Sequence, residues 1–137
     1  MTTAITQNNE LTPEEAYTWL TKITPGCRNA DLEKIIATDR ECSYHYAKDV
    51  LKGRFELGEP IIATDAEWAY DYAYNVIEGR WEQGEPAIAT DAYSSYRYAL
   101  NVIHRRFELG EPVIGQDIFW SSHYVQDVLR VEENKNA

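Results

Sequence analysis

The chain has 137 residues, of which 44% are hydrophobic, and its 13 basic and 23 acidic side chains give a formal net charge of −10. This length predicts one domain with its own core, and the hydrophobic content excludes disorder over most of the chain. The acidic balance excludes direct binding to nucleic-acid phosphates, which needs Lys and Arg.

The sequence also indicates where the protein is located and in what state its cysteines are. No apolar run approaches the roughly 20 residues of a membrane-spanning helix, and the first residues lack the basic and apolar regions of a signal peptide. Cys27 and Cys42 have neither the spacing of a disulfide scaffold nor that of a metal site. We therefore expect a cytoplasmic protein that does not associate with membranes.

The N-terminal part is predicted to be a short disordered segment followed by a capping helix. Residues 1–10 are polar and are expected to be disordered. Thr12 is then predicted to be the N-cap of a helix, with Pro13 at its first position and Glu15 completing a capping box. Residues 11–32 are interpreted as a cap that covers the apolar face of the first repeat.

The rest of the chain repeats itself. A segment that begins Gly-Glu-Pro and ends in Asp recurs every 26 residues without insertion, and an earlier copy lacks only the Gly-Glu-Pro opening. A fixed period of this size is typical of stacked repeats. We predict a single repeat domain over residues 11–130 and a polar tail at 131–137. The predicted repeats are 33–58, 59–84, 85–110 and 111–130.

Each repeat is predicted to contain one long and one short helical element. An Asp at the same position in every copy is the predicted N-cap of a helix of about three turns, and the Thr before the first three is a second candidate for that role. A projection at 100° per residue places Ser43, Tyr46, Ala47 and Val50 on one packing face, with equivalents in the other copies. The predicted N-caps are Asp39, Asp65, Asp91 and Asp117.

The Glu-Pro-x-Ile-Ala segment is too short for a stable helix of its own. It is interpreted as a single α- or 3₁₀-helical turn antiparallel to the long helix, and a β-strand over residues 61–63 is the alternative. The predicted fold class is therefore all-α, a short helical-repeat solenoid. Neighbouring long helices are expected to lie about 8–10 Å apart.

The groups that usually carry catalysis are interpreted as structural. His45 and His123 lie three periods apart, so the histidines do not converge on a metal, and we predict neither metal nor cofactor. The paired glutamates stand beside an Arg in each copy, which favours salt bridges and turn hydrogen bonds over acid–base catalysis. The recurrent Asx residues at 49, 75, 101 and 127 are predicted either to bond backbone of a neighbouring turn or to be solvated. We expect a protein that is not an enzyme.

The outward positions of the long helices differ from copy to copy, whereas the packing positions repeat. In solenoids the positions that diverge are those that recognise partners, and exposed aromatic residues are typical anchors. The second repeat is acidic, which fits a protein partner with a basic surface. Half-buried edge packing or self-association is the alternative for this face. The predicted partner-binding residues are Trp68, Tyr74, Tyr93, Leu100, Phe119 and Trp120, and the acidic patch is Glu67, Asp71, Glu78 and Glu82.

Residues 33–130 follow the pattern Tyr-Ala-x-x-Val-(Leu/Ile)-x-(Gly/Arg)-Arg-(Phe/Trp)-Glu-x-Gly-Glu-Pro-x-Ile-Ala-Thr-Asp. This pattern resembles a tandem repeat of small, mostly uncharacterised phage and prophage proteins. The arrangement is also similar to leucine-rich-repeat-variant and HEAT-like solenoids, which present a surface to a partner. The resemblance implies a phage-encoded inhibitor of a host defence protein that acts in the host cytoplasm, and it implies no catalytic residue.

The leading hypothesis is thus a non-enzymatic protein-binding module. The first alternative is an acidic nucleic-acid mimic that occupies the groove of a DNA- or RNA-binding protein, although the neutral repeats 33–58 and 85–110 disfavour it. The second alternative is a homo-oligomeric structural protein, stacked end to end through Val125, Val128 and Leu129.

Overall fold

The computed structural model describes residues 11–136, so the predicted disorder of residues 1–10 lies outside the described part of the chain. The described residues form helices and turns without any strand, packed in tandem. The all-α repeat class is therefore confirmed, and the β-strand alternative at residues 61–63 is wrong because Ile61 and Ile62 belong to a helix. Within 11–136, none of the helices combines the length and the apolar character that crossing a bilayer requires.

The chain divides into two compact units after Ile62, inside the predicted repeat 59–84. The described residues of the first unit, 11–62, form four helices, and in several of them the helix type changes along the helix. They are α1 (Pro13–Thr18 continuing as Trp19–Ile23), α2 (Ala30–Ile36), α3 (Arg40–His45 continuing as Tyr46–Leu51) and α4 (Glu56–Gly58 continuing as Glu59–Ile62).

The second unit continues the alternation of long and short helices. Its described helices are α5 (Ala66–Tyr72 continuing as Ala73–Ile77), α6 (Glu82–Gly84 continuing as Glu85–Ile88), α7 (Ala92–Arg97 continuing as Tyr98–Ile103), α8 (Glu108–Gly110 continuing as Glu111–Gly115) and α9 (Ile118–Tyr124, Val125–Leu129 and Arg130–Asn136 in succession). The predicted polar tail is thus helical through Asn136, and the carboxylate of Glu132 accepts a hydrogen bond from the Arg106 backbone N–H at 3.1 Å.

The predicted Asp N-caps are confirmed in all four repeats. Each carboxylate accepts a hydrogen bond from a backbone N–H in the first turn of its helix, as Asp39 does from Cys42 at 2.8 Å. The capping box of Thr12 and Glu15 is also present. Thr38 and Thr90, in contrast, do not share the capping role: their hydroxyls donate to carbonyls three residues earlier and close the preceding short helix.

The second half of each long helix is wound more widely than an α-helix. The N–H of Lys52 reaches back five residues to the carbonyl of Ala47, which is the hydrogen bond of a π-helix. α3, α5 and α7 then stop abruptly because the next residue adopts a left-handed conformation, a costly one for residues with a Cβ. These residues are Lys52 (φ 52°), Glu78 (φ 57°) and His104 (φ 53°).

The predicted packing face forms the core. Ser43, Tyr46 and Ala47 are fully buried, and so are the equivalent residues of α5 and α7. Burial also extends to Tyr44 in the first unit and to Tyr70 in the second, which the projection did not place on the packing face. In the last repeat Val128 is buried, so it is unable to contribute to the end-to-end stacking proposed for it.

An Arg–Glu–Tyr clamp fastens short helices to long helices within each of the two units. In the second unit the guanidinium of Arg80 bonds both carboxylate oxygens of Glu85, at 2.8 and 3.2 Å. The hydroxyl of Tyr98 donates to the same carboxylate at 2.7 Å and accepts the backbone N–H of Trp81 at 3.0 Å. The glutamates beside arginines therefore make the predicted structural bonds.

The same clamp appears at both ends of the described chain. Arg106, Glu111 and Tyr124 form it in the last repeat, with the Tyr124 hydroxyl 2.6 Å from the carboxylate. In the first unit, the equivalent clamp joins Arg28, Glu33 and Tyr46. The boundary predicted between cap and first repeat, after residue 32, consequently falls inside α2.

Candidate partner-binding surface

The long helices of the second unit place their outward aromatic residues in one continuous row, which we term the aromatic strip. The strip begins on α5, crosses α7 and ends on α9, and each ring contacts the next ring or the guanidinium between them. Its members are Tyr70, Tyr74, Tyr93, Tyr96, Phe119 and Trp120, together with Arg97 and His123.

A stacked tyrosine pair and an arginine form the α5 end of the strip. The rings of Tyr70 and Tyr74 are nearly parallel, with centroids 5.8 Å apart. The Arg97 guanidinium of α7 lies 3.9 Å from the centroid of Tyr70 and 4.8 Å from that of Tyr93. It also pairs with Asp71 at 3.6 Å. A partly desolvated cation between two π-faces holds these side chains in place.

Direct ring contacts form the α9 end. Tyr93 stacks on Trp120 with centroids 4.5 Å apart, and Phe119 meets Trp120 edge to face at 4.7 Å. Tyr96 and His123 complete the group, with His123 4.6 Å from Phe119. The contacts of Trp120 with Tyr93 and Tyr96 join helices that are a full repeat apart in sequence, whereas the contacts of Phe119 lie within α9.

The strip is fixed in shape and yet open to solvent. Tyr74, Tyr93 and Phe119 remain 50%, 44% and 60% exposed, whereas Trp120 is half-buried and Tyr70 is buried. Rings that are held by their neighbours lose little side-chain entropy when a partner covers them. The strip therefore has the character of a preorganised binding surface.

Four of the six residues predicted to bind a partner meet in the strip, and two do not. Trp68 is half-buried on α5. Leu100 is half-buried and lines a separate small pocket at the end of α7, together with His104, Arg105 and Glu132. Tyr70 and Tyr96 belong to the strip but were not predicted. Their recurrence at the 26-residue period, after Tyr44, was the signal available in the sequence.

The predicted acidic patch is divided by the structure. Glu67 lies beside the strip, in an open cleft that Asp65, Asp91 and Tyr93 also line. Glu67 lies in the first turn of α5, whereas Glu78 lies beyond its C-terminal end. Glu82 lies 3.9 Å from Arg80. The negative charge next to the strip thus comes from Glu67 and two N-cap aspartates.

Two of the recurrent Asx residues bond tyrosine side chains of the preceding repeat, where either backbone bonding or solvation was predicted. A third, Asp49, lies 3.3 Å from the His45 ring of its own helix. The amide of Asn101 donates to the hydroxyl of Tyr70 at 3.1 Å, and the hydroxyl of Tyr96 donates to Asp127 at 2.6 Å. Burial and the carboxylate of Asp127 together raise the pKa of Tyr96 to about 12. These hydrogen bonds hold the side chains of Tyr70 and Tyr96 in place within the strip.

One cluster in the first unit has the residue types of a metal site. The potential ligand atoms of Glu14, Asp39 and Cys42 all lie within 4.8 Å of one another. Asp39 is already engaged as the N-cap of α3, and burial raises the pKa of the Cys42 thiol to about 12, which keeps it protonated at neutral pH. The cluster is accounted for as the capped start of a helix.

Comparison of the chain with protein-family models, with curated proteins and with solved structures finds no match.

Proposed function

We propose that this protein is a non-enzymatic protein-binding module whose contact surface is the aromatic strip. The observation that supports the proposal is the contiguous row of Tyr, Phe, Trp and Arg side chains across three helices of the second unit, in which Tyr74, Tyr93 and Phe119 are exposed. Tyr, Trp and Arg are the residues that dominate binding energy at protein interfaces, especially when their rings are held rigid.

The partner is proposed to carry basic side chains where it meets the cleft beside Tyr93. Three carboxylates, those of Asp65, Glu67 and Asp91, line this cleft together with Tyr93 and with Arg97, which pairs with Asp71. A Lys or Arg of the partner would meet both a negative potential and an aromatic edge here. Inhibition of a host defence protein by a phage product, suggested by the repeat resemblance, is the more specific form of this proposal.

The test is affinity capture from the natural host with the immobilised protein and with matched variants. Tyr74→Ala and Phe119→Ala each remove an exposed ring from one end of the strip, and Leu109→Ala removes an equally exposed apolar side chain from α8. We expect the captured protein to bind at least 10-fold more weakly to either strip variant, the loss expected of an interface anchor. Leu109→Ala should retain it.

Capture that is identical for the wild type and both strip variants would reject the aromatic strip as the contact surface. The nucleic-acid mimic remains the second proposal, and the acidic residues at the end of α5 favour it. It predicts that Glu78→Gln with Glu82→Gln weakens capture, that the Ala variants do not, and that added DNA or salt competes with the partner.

A further inference from the structure

Three exposed side chains of the second unit form a row that crosses its long helices. Glu67, Tyr93 and Phe119 are the second residues of α5, α7 and α9, and each lies one 26-residue period from the next. Neighbouring helices pack about 8–10 Å apart. The row, which we term the anchor line, therefore presents a carboxylate and two aromatic rings at a regular spacing.

The spacing along the anchor line matches one turn of a polyproline II helix. Trp120 contacts both exposed rings, with centroids 4.5 Å from Tyr93 and 4.7 Å from Phe119. The two exposed rings are therefore at most about 9 Å apart, and a polyproline II segment advances about 9 Å in three residues. Every third residue of such a segment points to the same side, so residues three apart meet successive helices.

The groups around the two rings are hydrogen-bond donors that no acceptor within residues 11–136 satisfies. The hydroxyl of Tyr93 and the indole N–H of Trp120 make no hydrogen bond to this part of the chain. The guanidinium of Arg97 is 24% exposed, and its carboxylate neighbour Asp71 lies 3.6 Å away, beyond ordinary hydrogen-bond length. Partly covered donors of this kind favour a partner that supplies acceptors.

A proline-rich segment supplies such acceptors without competing donors. Its carbonyls are free because a polyproline II helix has no internal hydrogen bonds, and proline has no N–H. Its rings pack on aromatic faces, and its preformed conformation loses little entropy on binding. An α-helix, in contrast, bonds its own carbonyls and repeats every 5.4 Å or so. A β-strand needs an open sheet edge, and residues 11–136 contain no sheet.

The α5 end of the anchor line favours a basic residue. Glu67 lines the open cleft beside Tyr93 together with the N-cap residues Asp65 and Asp91. Within residues 11–136 the carboxylate of Glu67 forms no ion pair. A lysine or arginine placed three residues from the proline over Tyr93 lies against this negative potential.

We propose that the anchor line binds a proline-rich segment that carries prolines over Phe119 and Tyr93 and a lysine or arginine over Glu67, each three residues from the next. Arg97 and Trp120 donate hydrogen bonds to the carbonyls of the segment. This inference rests on the proposed function, because it specifies which part of the protein partner meets the aromatic strip.

The test is isothermal titration calorimetry of the full chain with synthetic heptapeptides. Two peptides contain six prolines and one arginine, placed at the N-terminal end of one and at the C-terminal end of the other, because the chain direction is open. We expect one of them to bind saturably. Phe119→Ala should raise its Kd about 10-fold and Glu67→Gln about threefold, as expected of an aromatic anchor and of an exposed ion pair. The control Leu109→Ala, at an exposed position of α8, should leave the Kd unchanged.

Two further peptides test the three-residue spacing at equal proline content. In one, alanine replaces the prolines three and six residues from the arginine, which are those expected over the rings. In the other, alanine replaces the prolines two and five residues away. We expect the first peptide to bind about 10-fold more weakly than the second. In a double-mutant cycle, the loss on Glu67→Gln should disappear when proline replaces the arginine.

Absence of saturable binding by both arginine peptides up to about 1 mM would overturn the inference. Binding that Phe119→Ala leaves unchanged would also overturn it, as would equal affinity for the two alanine peptides. Circular dichroism should show the helical content of every variant intact. If neither peptide binds but capture of the partner still depends on Phe119, the partner presents a folded surface and only this inference fails. Capture that ignores both Phe119→Ala and Tyr74→Ala rejects the proposed function as well.

Discussion

At the scale of single residues, the clamp tyrosine is the group on which each repeat most depends. Tyr98 is fully buried and its hydroxyl makes two bonds, donating to the carboxylate of Glu85 and accepting the N–H of Trp81. Both partners are themselves buried. Tyr96, only two residues away, makes a single hydroxyl bond to the half-buried Asp127. The two tyrosines therefore form a matched pair for mutation.

We predict that Tyr98→Phe lowers the free energy of unfolding by about 3 kcal/mol. It removes a hydrogen bond to the buried carboxylate of Glu85, which keeps Arg80, and it leaves the buried N–H of Trp81 without its hydroxyl acceptor. Tyr96→Phe should cost about 1 kcal/mol, since water can reach Asp127. Urea unfolding followed by circular dichroism measures both. Equal losses in the free energy of unfolding would contradict this prediction, because the hydrogen bonds of Tyr98 would then stabilise the protein no more than the single bond between Tyr96 and Asp127.

At the scale of elements, contact between a short and a long helix depends on a glycine. Gly110 of α8 lies against α7, and a Cβ on it would come within 2.6 Å of the Ser95 Cβ and 2.7 Å of the Phe107 ring. Gly58 has the same relation to Ser43 and Phe55 in the first unit. The close approach of two helices therefore explains the Gly of the Gly-Glu-Pro motif at positions 58 and 110, whereas at Gly84 the space is taken by the ring of Trp81.

Gly110→Ala is predicted to destabilise the protein by about 1–3 kcal/mol, the usual cost of an overpacked contact. The control is Gly115→Ala at the end of α8, where a Cβ would meet nothing within 4 Å. That change should be neutral or stabilise by up to about 1 kcal/mol, because Ala favours helix more than Gly does. Thermal unfolding of the two variants compares them directly, and similar melting temperatures would contradict the close-approach explanation.

At the scale of the whole molecule, the repeated clamp links stability to pH at both extremes. Hydrogen bonds from Arg28 and Arg106 lower the pKa values of Glu33 and Glu111 below their ordinary 4.5. Burial, reinforced by a carboxylate neighbour, raises the pKa values of Tyr98 and Tyr124 well above their ordinary 10. The folded state thus favours ionised glutamates and neutral tyrosines.

The sign of each contribution follows from the direction of the shift. The stability that the glutamates provide is present above pH 4.5 and is lost as the pH falls below it. The stability that the tyrosines provide is complete below pH 10, and for Tyr96 it is lost between pH 10 and about 12. We expect the free energy of unfolding to have a plateau between these limits. Tyrosinate absorbance should appear in two phases, with the clamp tyrosines ionising only as the chain unfolds; a single phase near pH 10 would contradict this.

The sequence by itself determined the period, the N-caps, the all-α class and the packing face. These features are local. An Asp caps the helix that directly follows it, and the spacing of Tyr, Ala and Val along one helix defines its packing face without reference to any neighbouring helix. The projection missed Tyr44 and Tyr70 because helices packed side by side bury a wider arc than one apolar stripe. Even so, Tyr74, Tyr93 and Phe119 were identifiable as exposed variable residues.

Only the tertiary structure decided which side chains meet. The contacts of Arg97 with Tyr70, of Trp120 with Tyr93 and of Tyr96 with Asp127 all join neighbouring long helices. Such contacts depend on the offset and rotation of one helix against the next. The π-helical halves change that rotation from the 100° per residue of an α-helix, so no pattern along a single helix specifies it.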